Sequence, residues 1–195
     1  EGAQGVHIDL DYGTYPYTTS SNPTTAGLAL GSGISPLEIK NVVGVVKAYL
    51  TRVGSGPFPG ELKDEEAEII RERGNEYGTT TGRPRRCGWL DLVAVKYSAM
   101  ICGTTSIACM LLDVLSGFDE LKICVAYKLQ DGSVSERFVP DARLLAEIEP
   151  IFETLPGWHE EINDVTSPDD LPTPAKAYLD FVSDYLGLPI SIVSV

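Results

Sequence analysis

Positive charge is scarce in this chain. Fifteen lysines and arginines stand against 28 aspartates and glutamates, a formal net charge of -13 at pH 7. A phosphate backbone would be repelled by most of such a surface, which argues against DNA or RNA as a partner. Histidine occurs twice and cysteine four times. Cys87, Cys102, Cys109 and Cys124 show no paired ligand spacing, so the common zinc motifs are excluded. Cys102, Cys109 and Cys124 sit among apolar residues and read as small core side chains of a reducing compartment. No apolar run approaches the roughly 20 residues of a membrane helix, and nothing at the start resembles a signal peptide. The expectation is a soluble, cytoplasmic protein. Also missing are a Gly-rich phosphate loop ending in lysine, an internal repeat and a low-complexity linker.

What is present suffices for a core: 43% hydrophobic content in 195 residues fits one domain. Val6 to Leu10 alternates like a strand and would place Gln4 at its edge, with His7 an ordinary packed or exposed histidine. Thr14 to Asn22 is dense in hydroxyls and leads into Pro23, Gly27, Gly31 and Gly33, which predicts a long irregular segment over a site. Ser35-Pro36-Leu37-Glu38 has the N-cap and first-turn proline of a short helix, with Glu38 reaching back. The β-branched run from Val42 to Arg52 predicts one buried strand of a largely parallel sheet. Its C-terminal end would deliver Val53 and the Gly54 and Gly56 loop to the side where open α/β sheets bind ligands.

Glu65 to Tyr77 predicts a charged helix that turns Ile69 and Ile70 inward and is otherwise a solvated face. Trp89, Leu92, Val93, Lys96, Tyr97 and Met100 recur at helical spacing, and Ser106 to Leu112 reads as a second buried strand ending at Asp113. Leu121 to Lys128 and Ser133 to Phe138 flank the hairpin signal Asp131-Gly132. Pro150 to Trp158 reads as extended, and His159 among Glu160 and Glu161 as exposed. A helix opens at Thr173-Pro174 and closes at Gly187. A last strand ends at Ser194. The fold class is therefore α/β, a largely parallel central sheet flanked by helices with a small antiparallel hairpin.

The stretch from Gly78 to Asp91 is the densest in chemistry. Thr79, Thr80 and Thr81 supply hydroxyls, while Arg83, Arg85 and Arg86 gather positive charge around Pro84. Guanidinium forks grip carboxylates and phosphates through paired hydrogen bonds, so the loop suits an anion. A solvated turn with surface arginines is the competing reading. Cys87 beside the arginines is a candidate for a lowered thiol pKa. The helix that follows would aim its first N–H groups at an anion in the loop.

Taken in order, Glu1-Gly2-Ala3-Gln4-Gly5, the run from Asp11 to Asn22, Thr51 to Pro59, and Gly78 to Asp91 closely resemble the adenylosuccinate synthetase family. The resemblance runs from Glu1 to Val195 and matches only the C-terminal half of that enzyme. Residues 1–195 are accordingly expected to be a single incomplete domain; a first residue of Glu and an end inside the apolar run Ile190 to Val195 suggest a cut piece. The resemblance implies GTP-dependent ligation of L-aspartate to inosine monophosphate (IMP), the first committed step from IMP to AMP. GTP phosphorylates the 6-oxygen, and the amine then displaces phosphate.

The family match implies IMP contacts from Gln4, Ile8, Thr19, Val53 and Arg83, and aspartate contacts from Thr79, Thr80, Thr81, Arg83 and Arg85. For GTP it implies Arg85, Leu111, Asp113 and Ser194. It places no catalytic group and no metal ligand in this chain, assigning Mg2+ mainly to the N-terminal half, and it implies a homodimer. Where the family carries Thr-Lys-Leu-Asp, this chain reads Met110-Leu111-Leu112-Asp113. Leu111 can pack on a purine face but forgoes a cation–π contribution of about 0.5–1 kcal/mol. These residues alone are expected to be inactive. The alternatives are a non-catalytic nucleotide or anion-binding module derived from the enzyme, and an acidic scaffold without a ligand.

Overall fold

The computed structural model describes residues 4–63, 65–79 and 82–195. Its elements in chain order are α1 (Thr25–Ser32), β1 (Val43–Lys47), β2 (Leu50–Arg52), α2 (Glu65–Arg73), β3 (Arg86–Gly88), β4 (Leu90–Asp91) and α3 (Leu92–Cys102), then β5 (Ser106–Met110), β6 (Glu120–Lys128), β7 (Val134–Ser135), α4 (Ala142–Glu147), β8 (Glu149–Pro156), α5 (Thr173–Leu186) and β9 (Ile190–Val193). Short 3-10 turns occupy Val6–Ile8, Pro36–Glu38, Leu112–Leu115 and Pro168–Asp170.

Strands β1, β5 and β9 make a parallel sheet in that order. A second sheet is mixed: β6 runs parallel to β4 and antiparallel to β7 and β8, pairing with β8 from Glu120↔Pro156 to Lys128↔Glu149. The α/β class with a parallel sheet, flanking helices and an antiparallel hairpin is thus present, with the hairpin extended by β8 into a larger sheet. One core joins the layers, with Tyr49, Ile70, Leu90, Leu92, Leu112, Leu115, Leu121, Ile123, Trp158 and Tyr178 almost fully buried. Each such large side chain contributes about 1.5–3 kcal/mol by leaving water.

Helix α5 follows the sequence closely. Pro174 sits in its first turn, Gly187 caps it with φ 64°, and Ala175, Tyr178, Leu179 and Val182 form its buried stripe. The Asp131-Gly132 turn joins β6 to β7, with Gly132 at φ 83°. Ser35 caps the short Pro36–Glu38 turn by accepting from Leu37 N.

Four expectations need correction. Val6 to Leu10 is no strand: Ile8 N bonds Gly5 O and Asp9 N bonds Val6 O, and the Asp9 carboxylate accepts from Asp11 N, Tyr12 N and Asn22 Nδ2. Such local side-chain bonds give the backbone an alternative to a ladder, and Gln4, exposed at φ 78°, lies on no strand edge. The glycines after Pro23 belong to α1, capped by Thr24 and closed by Gly33.

The run Val42 to Arg52 breaks into two strands of different sheets. Ala48 N bonds Met110 O, the chain corners at buried Tyr49, and Leu50 then pairs with Gly88. Nor is β1 buried, because Val43 and Val45 are 45% and 74% exposed. Finally, α2 ends at Arg73, and only Ile70 of the isoleucine pair is buried.

Candidate functional site

At the carboxyl ends of the parallel strands three distant segments meet. Lys47 pairs in register with Met110, Ser194 N bonds Cys109 O, and Leu112 N bonds Ser194 O at 3.0 Å. Leu111, Asp113 and Ser194 are thereby brought together at one end of the sheet. Leu111 turns the chain there in the left-handed region, at φ 60°. Asp113 Oδ1 is buried and has no hydrogen-bond partner among the described residues, while the Asp113 carbonyl accepts from Arg73 Nη2 at 3.3 Å. A buried acceptor left unmet costs about 1–3 kcal/mol, so this oxygen suits a ligand donor.

Next to it lies a charged centre that sequence reasoning missed. Glu76, 1% exposed, accepts from Lys47 Nζ at 2.5 Å and Tyr49 Oη at 2.6 Å through Oε1, and from Arg85 Nη1 at 2.5 Å through Oε2. Burial by itself would raise the Glu76 pKa. The bonds from Lys47, Tyr49 and Arg85 outweigh it and hold the carboxyl below its usual range. Burial, reinforced by Glu76, pushes the Tyr49 phenol well up. One signal was available: Lys47 inside a β-branched run calls for a carboxylate partner.

The three loop arginines part company. Arg85 is held by Glu76. Arg86 grips Glu61 through Nε and Nη2 and donates from Nη1 to Gly54 O and Gly56 O, so it braces the 54–56 loop rather than adding to an open cationic cluster. Arg83 is exposed, and its carbonyl accepts from Gly78 N. The loop base is narrow: Tyr77 bridges Pro84, and Arg85 N bonds Glu76 O. Thr79 is exposed; Thr80 and Thr81 lie outside the described residues.

On the other side, Arg52 joins two loops. Its Nε donates to Ser55 O, and its Nη2 to Thr14 Oγ1 and Tyr17 O. A Cβ at Gly56, already at φ 113°, would fall 2.3 Å from that Nη2, so only glycine allows the approach. Thr19 N bonds Ile8 O at 2.7 Å, and Val53, 70% exposed, stands where β2 meets the 54–56 loop. Gln4 immediately precedes Gly5, whose carbonyl takes Ile8 N. The segments carrying Ile8, Thr19 and Val53 and the root of the arginine loop are therefore linked through Arg52 and Arg86.

Two further readings fail. Burial pushes the Cys87 thiol up to about 11, so the arginines nearby do not activate it. The N-terminus of α3 already has its cap, the Asp91 side chain accepting from Ala94 N at 3.0 Å, which takes up a donor that an anion in the loop would need. His7 packs edge-on to Phe138 and its Nε2 meets Ala94 O and Ser98 Oγ; burial holds its pKa down to about 4. His159 is exposed against Asp119. Among the described residues no three His, Cys, Asp or Glu side chains gather to hold a metal ion. No described helix is long and apolar enough to cross a membrane.

Polar loops collected at the carboxyl ends of parallel strands, with an unmet buried acceptor among them, place the chain in the open α/β class, whose sheets bind ligands at those ends. Within that class the chain belongs to the adenylosuccinate synthetase family, whose sequence model matches residues 1–195. The adenylosuccinate synthetase of Geobacillus sp. (strain WCH70) is 54% identical over 195 residues, and that of Alkaliphilus metalliredigens (strain QYMF) 53%; each match covers all of this chain and 45% of the relative. The solved structure of a fully ligated adenylosuccinate synthetase from Plasmodium falciparum superposes with a TM-score of 0.96 at 43% identity, covering 99% of this chain and 46% of that one. A cyanophage S-2L succinoaminodeoxyadenylate synthetase bound to dGMP and dATP aligns with a TM-score of 0.51 at 28% identity, over 58% of this chain and 35% of that one. The chain spans about 45% of the length of the curated relatives it matches.

Proposed function

We propose that this chain supplies the substrate-holding elements of a GTP-dependent ligation of L-aspartate to IMP, within a cytoplasmic homodimeric synthetase. The observation that carries the reading is Asp113 Oδ1, a buried acceptor without a described protein donor at the strand ends. A guanine ring offers adjacent N–H donors to such an oxygen, with Leu111 and Ser194 beside it. Ile8 and Thr19, already joined through the backbone, would together with Gln4, Val53 and Arg83 receive IMP. Thr79, Thr80, Thr81, Arg83 and Arg85 would receive the carboxylates of aspartate. Arginine carries five N–H donors, so the bond from Nη1 to Glu76 does not exhaust Arg85, to which this reading also assigns a contact with GTP.

The reading gives these residues the work of binding and orientation. Holding amine and nucleotide together converts a bimolecular encounter into a local one, an effect worth up to about 7–11 kcal/mol when the geometry is right. Phosphoryl transfer from GTP to the IMP 6-oxygen, followed by displacement of phosphate by the amine, is assigned to no side chain here, and no step is routed through magnesium. On this account the 195 residues alone do not turn over.

The test is Arg85→Ala in a full-length synthetase carrying this segment. It should raise the aspartate KM far more than the GTP KM, by about 30-fold or more, since losing a desolvated charge contact costs about 2–5 kcal/mol. Equal effects on both substrates would contradict the assignment. Calorimetry on the 195-residue chain addresses the alternative of an autonomous binding module, which requires tight binding of IMP or GTP without any partner segment.

A further inference from the structure

We infer that Glu76 is a positioning residue for this site, setting Arg85 and Lys47 side by side as a paired cationic edge for an anionic substrate. The inference rests on the function proposed for the site and adds two residues, Glu76 and Lys47, to which that function gave no role.

Three features carry it. Glu76 binds donors from separate parts of the chain: Lys47 at the end of β1, Tyr49 at the corner before β2, and Arg85 at the root of the loop that carries Thr79 and Arg83. Its backbone fixes the same root, with Arg85 N on Glu76 O and Glu76 N on Arg71 O. The centre is also built without slack, because a Cβ at Gly74 would fall 2.3 Å from Tyr49 Oη and 3.1 Å from Glu76 Cγ.

The charges do not cancel. Glu76 is 1% exposed, whereas the side chains of Lys47 and Arg85 keep 29% and 28% of their surface. One carboxylate is therefore sealed below two cations whose outer faces reach solvent. The cluster carries a formal excess of one positive charge in a protein of net charge -13. Pure stabilisation is a weak explanation for it, since a buried ion pair contributes little net stability compared with apolar residues of the same volume. Fixed cations that keep a solvent-exposed face suit carboxylate or phosphate recognition, because the ordering of two flexible side chains is completed before the ligand arrives.

The decisive experiment is a double-mutant cycle of Glu76→Gln and Arg85→Ala in a full-length synthetase carrying this segment, reading KM for aspartate and for GTP separately from kcat. Glu76→Gln keeps the shape and removes the charge. It should raise the aspartate KM about tenfold or more in the native background and by a clearly smaller factor once Arg85 is alanine, where only Lys47 remains to be positioned. Equal fold-changes in both backgrounds would overturn the positioning role and leave the proposed function intact. If Arg85→Ala by itself leaves both KM values unchanged, the proposed function fails instead. Should Glu76→Gln not fold, Glu76→Asp runs the same cycle and is decided by the same two outcomes, since it draws the charge back by one methylene.

Discussion

Glu76 and Asp91 are both carboxylates with almost no exposed surface, 1% and 3%, yet they titrate in opposite directions. Burial penalises the charged form of each. At Glu76 that penalty is overcome by Lys47, Tyr49 and Arg85, two of them cations. At Asp91 it prevails, because the donors, Tyr127 Oη at 2.6 Å and Ala94 N at 3.0 Å, are neutral, and the carboxyl is raised. Satisfied hydrogen bonds are common to both centres; the charge on the donors decides the sign. Asp91 is anchored in the fold, capping α3 and tying it to β6, whereas Glu76 sits under cations that still reach water.

The strongest way to break this comparison is Asp91→Ala. It removes the α3 cap and strands the Tyr127 hydroxyl in the core, so unfolding in urea should show a loss of about 2–4 kcal/mol. A loss below about 0.5 kcal/mol would mean that the centre is not the anchor described. Next in size is Gly74→Ala, where the new methyl must push Tyr49 Oη or the Ile70 carbonyl aside. Overpacking of this kind costs about 1–3 kcal/mol. Unchanged stability would show that the Glu76 centre has room to give.

Acid titration gives the smallest signals and the sharpest discrimination. Glu76 has a depressed folded pKa, so its contribution is present above the unfolded carboxyl value and is lost as pH falls through the folded one. Asp91 is raised, so its contribution is present below the unfolded value and is lost as pH rises through the folded one. Stability measured against pH should therefore change slope in opposite senses in Glu76→Gln and Asp91→Asn. Slopes moving the same way would remove the distinction. His7, held near 4 against an ordinary 6.5, weakens the fold between those values as pH falls, and His7→Phe should flatten that interval.

Local signals were legible where one segment contains its own reason. Helix α5 has proline in its first turn, glycine at its end and a single apolar stripe between, and the β6–β7 turn has Asp131-Gly132. The run Val42 to Arg52 misled because β-branched residues specify extension and not the sheet they join. Leaving β5 at Ala48 to pair with β3 is a tertiary decision made by Tyr49 entering the core. At Val6 to Leu10 the apolar alternation lost to Asp9, whose carboxylate rewards a turn. The candidate site was readable as strings but not as a network. Glu76 looks like the frayed end of a charged helix until Lys47, Tyr49 and Arg85 arrive from 29, 27 and 9 residues away. Arg85 and Arg86 are neighbours in the chain with different duties, which composition could not separate.

Arg52 and Arg86 both spend donors on the loops around the site. Arg52 fastens Thr14 and Tyr17 to Ser55, and Arg86 fastens Gly54 and Gly56 to the strand leaving the arginine loop. The rims proposed for nucleotide and amino acid thus share one foundation. Loosening either rivet would disturb both rims at once.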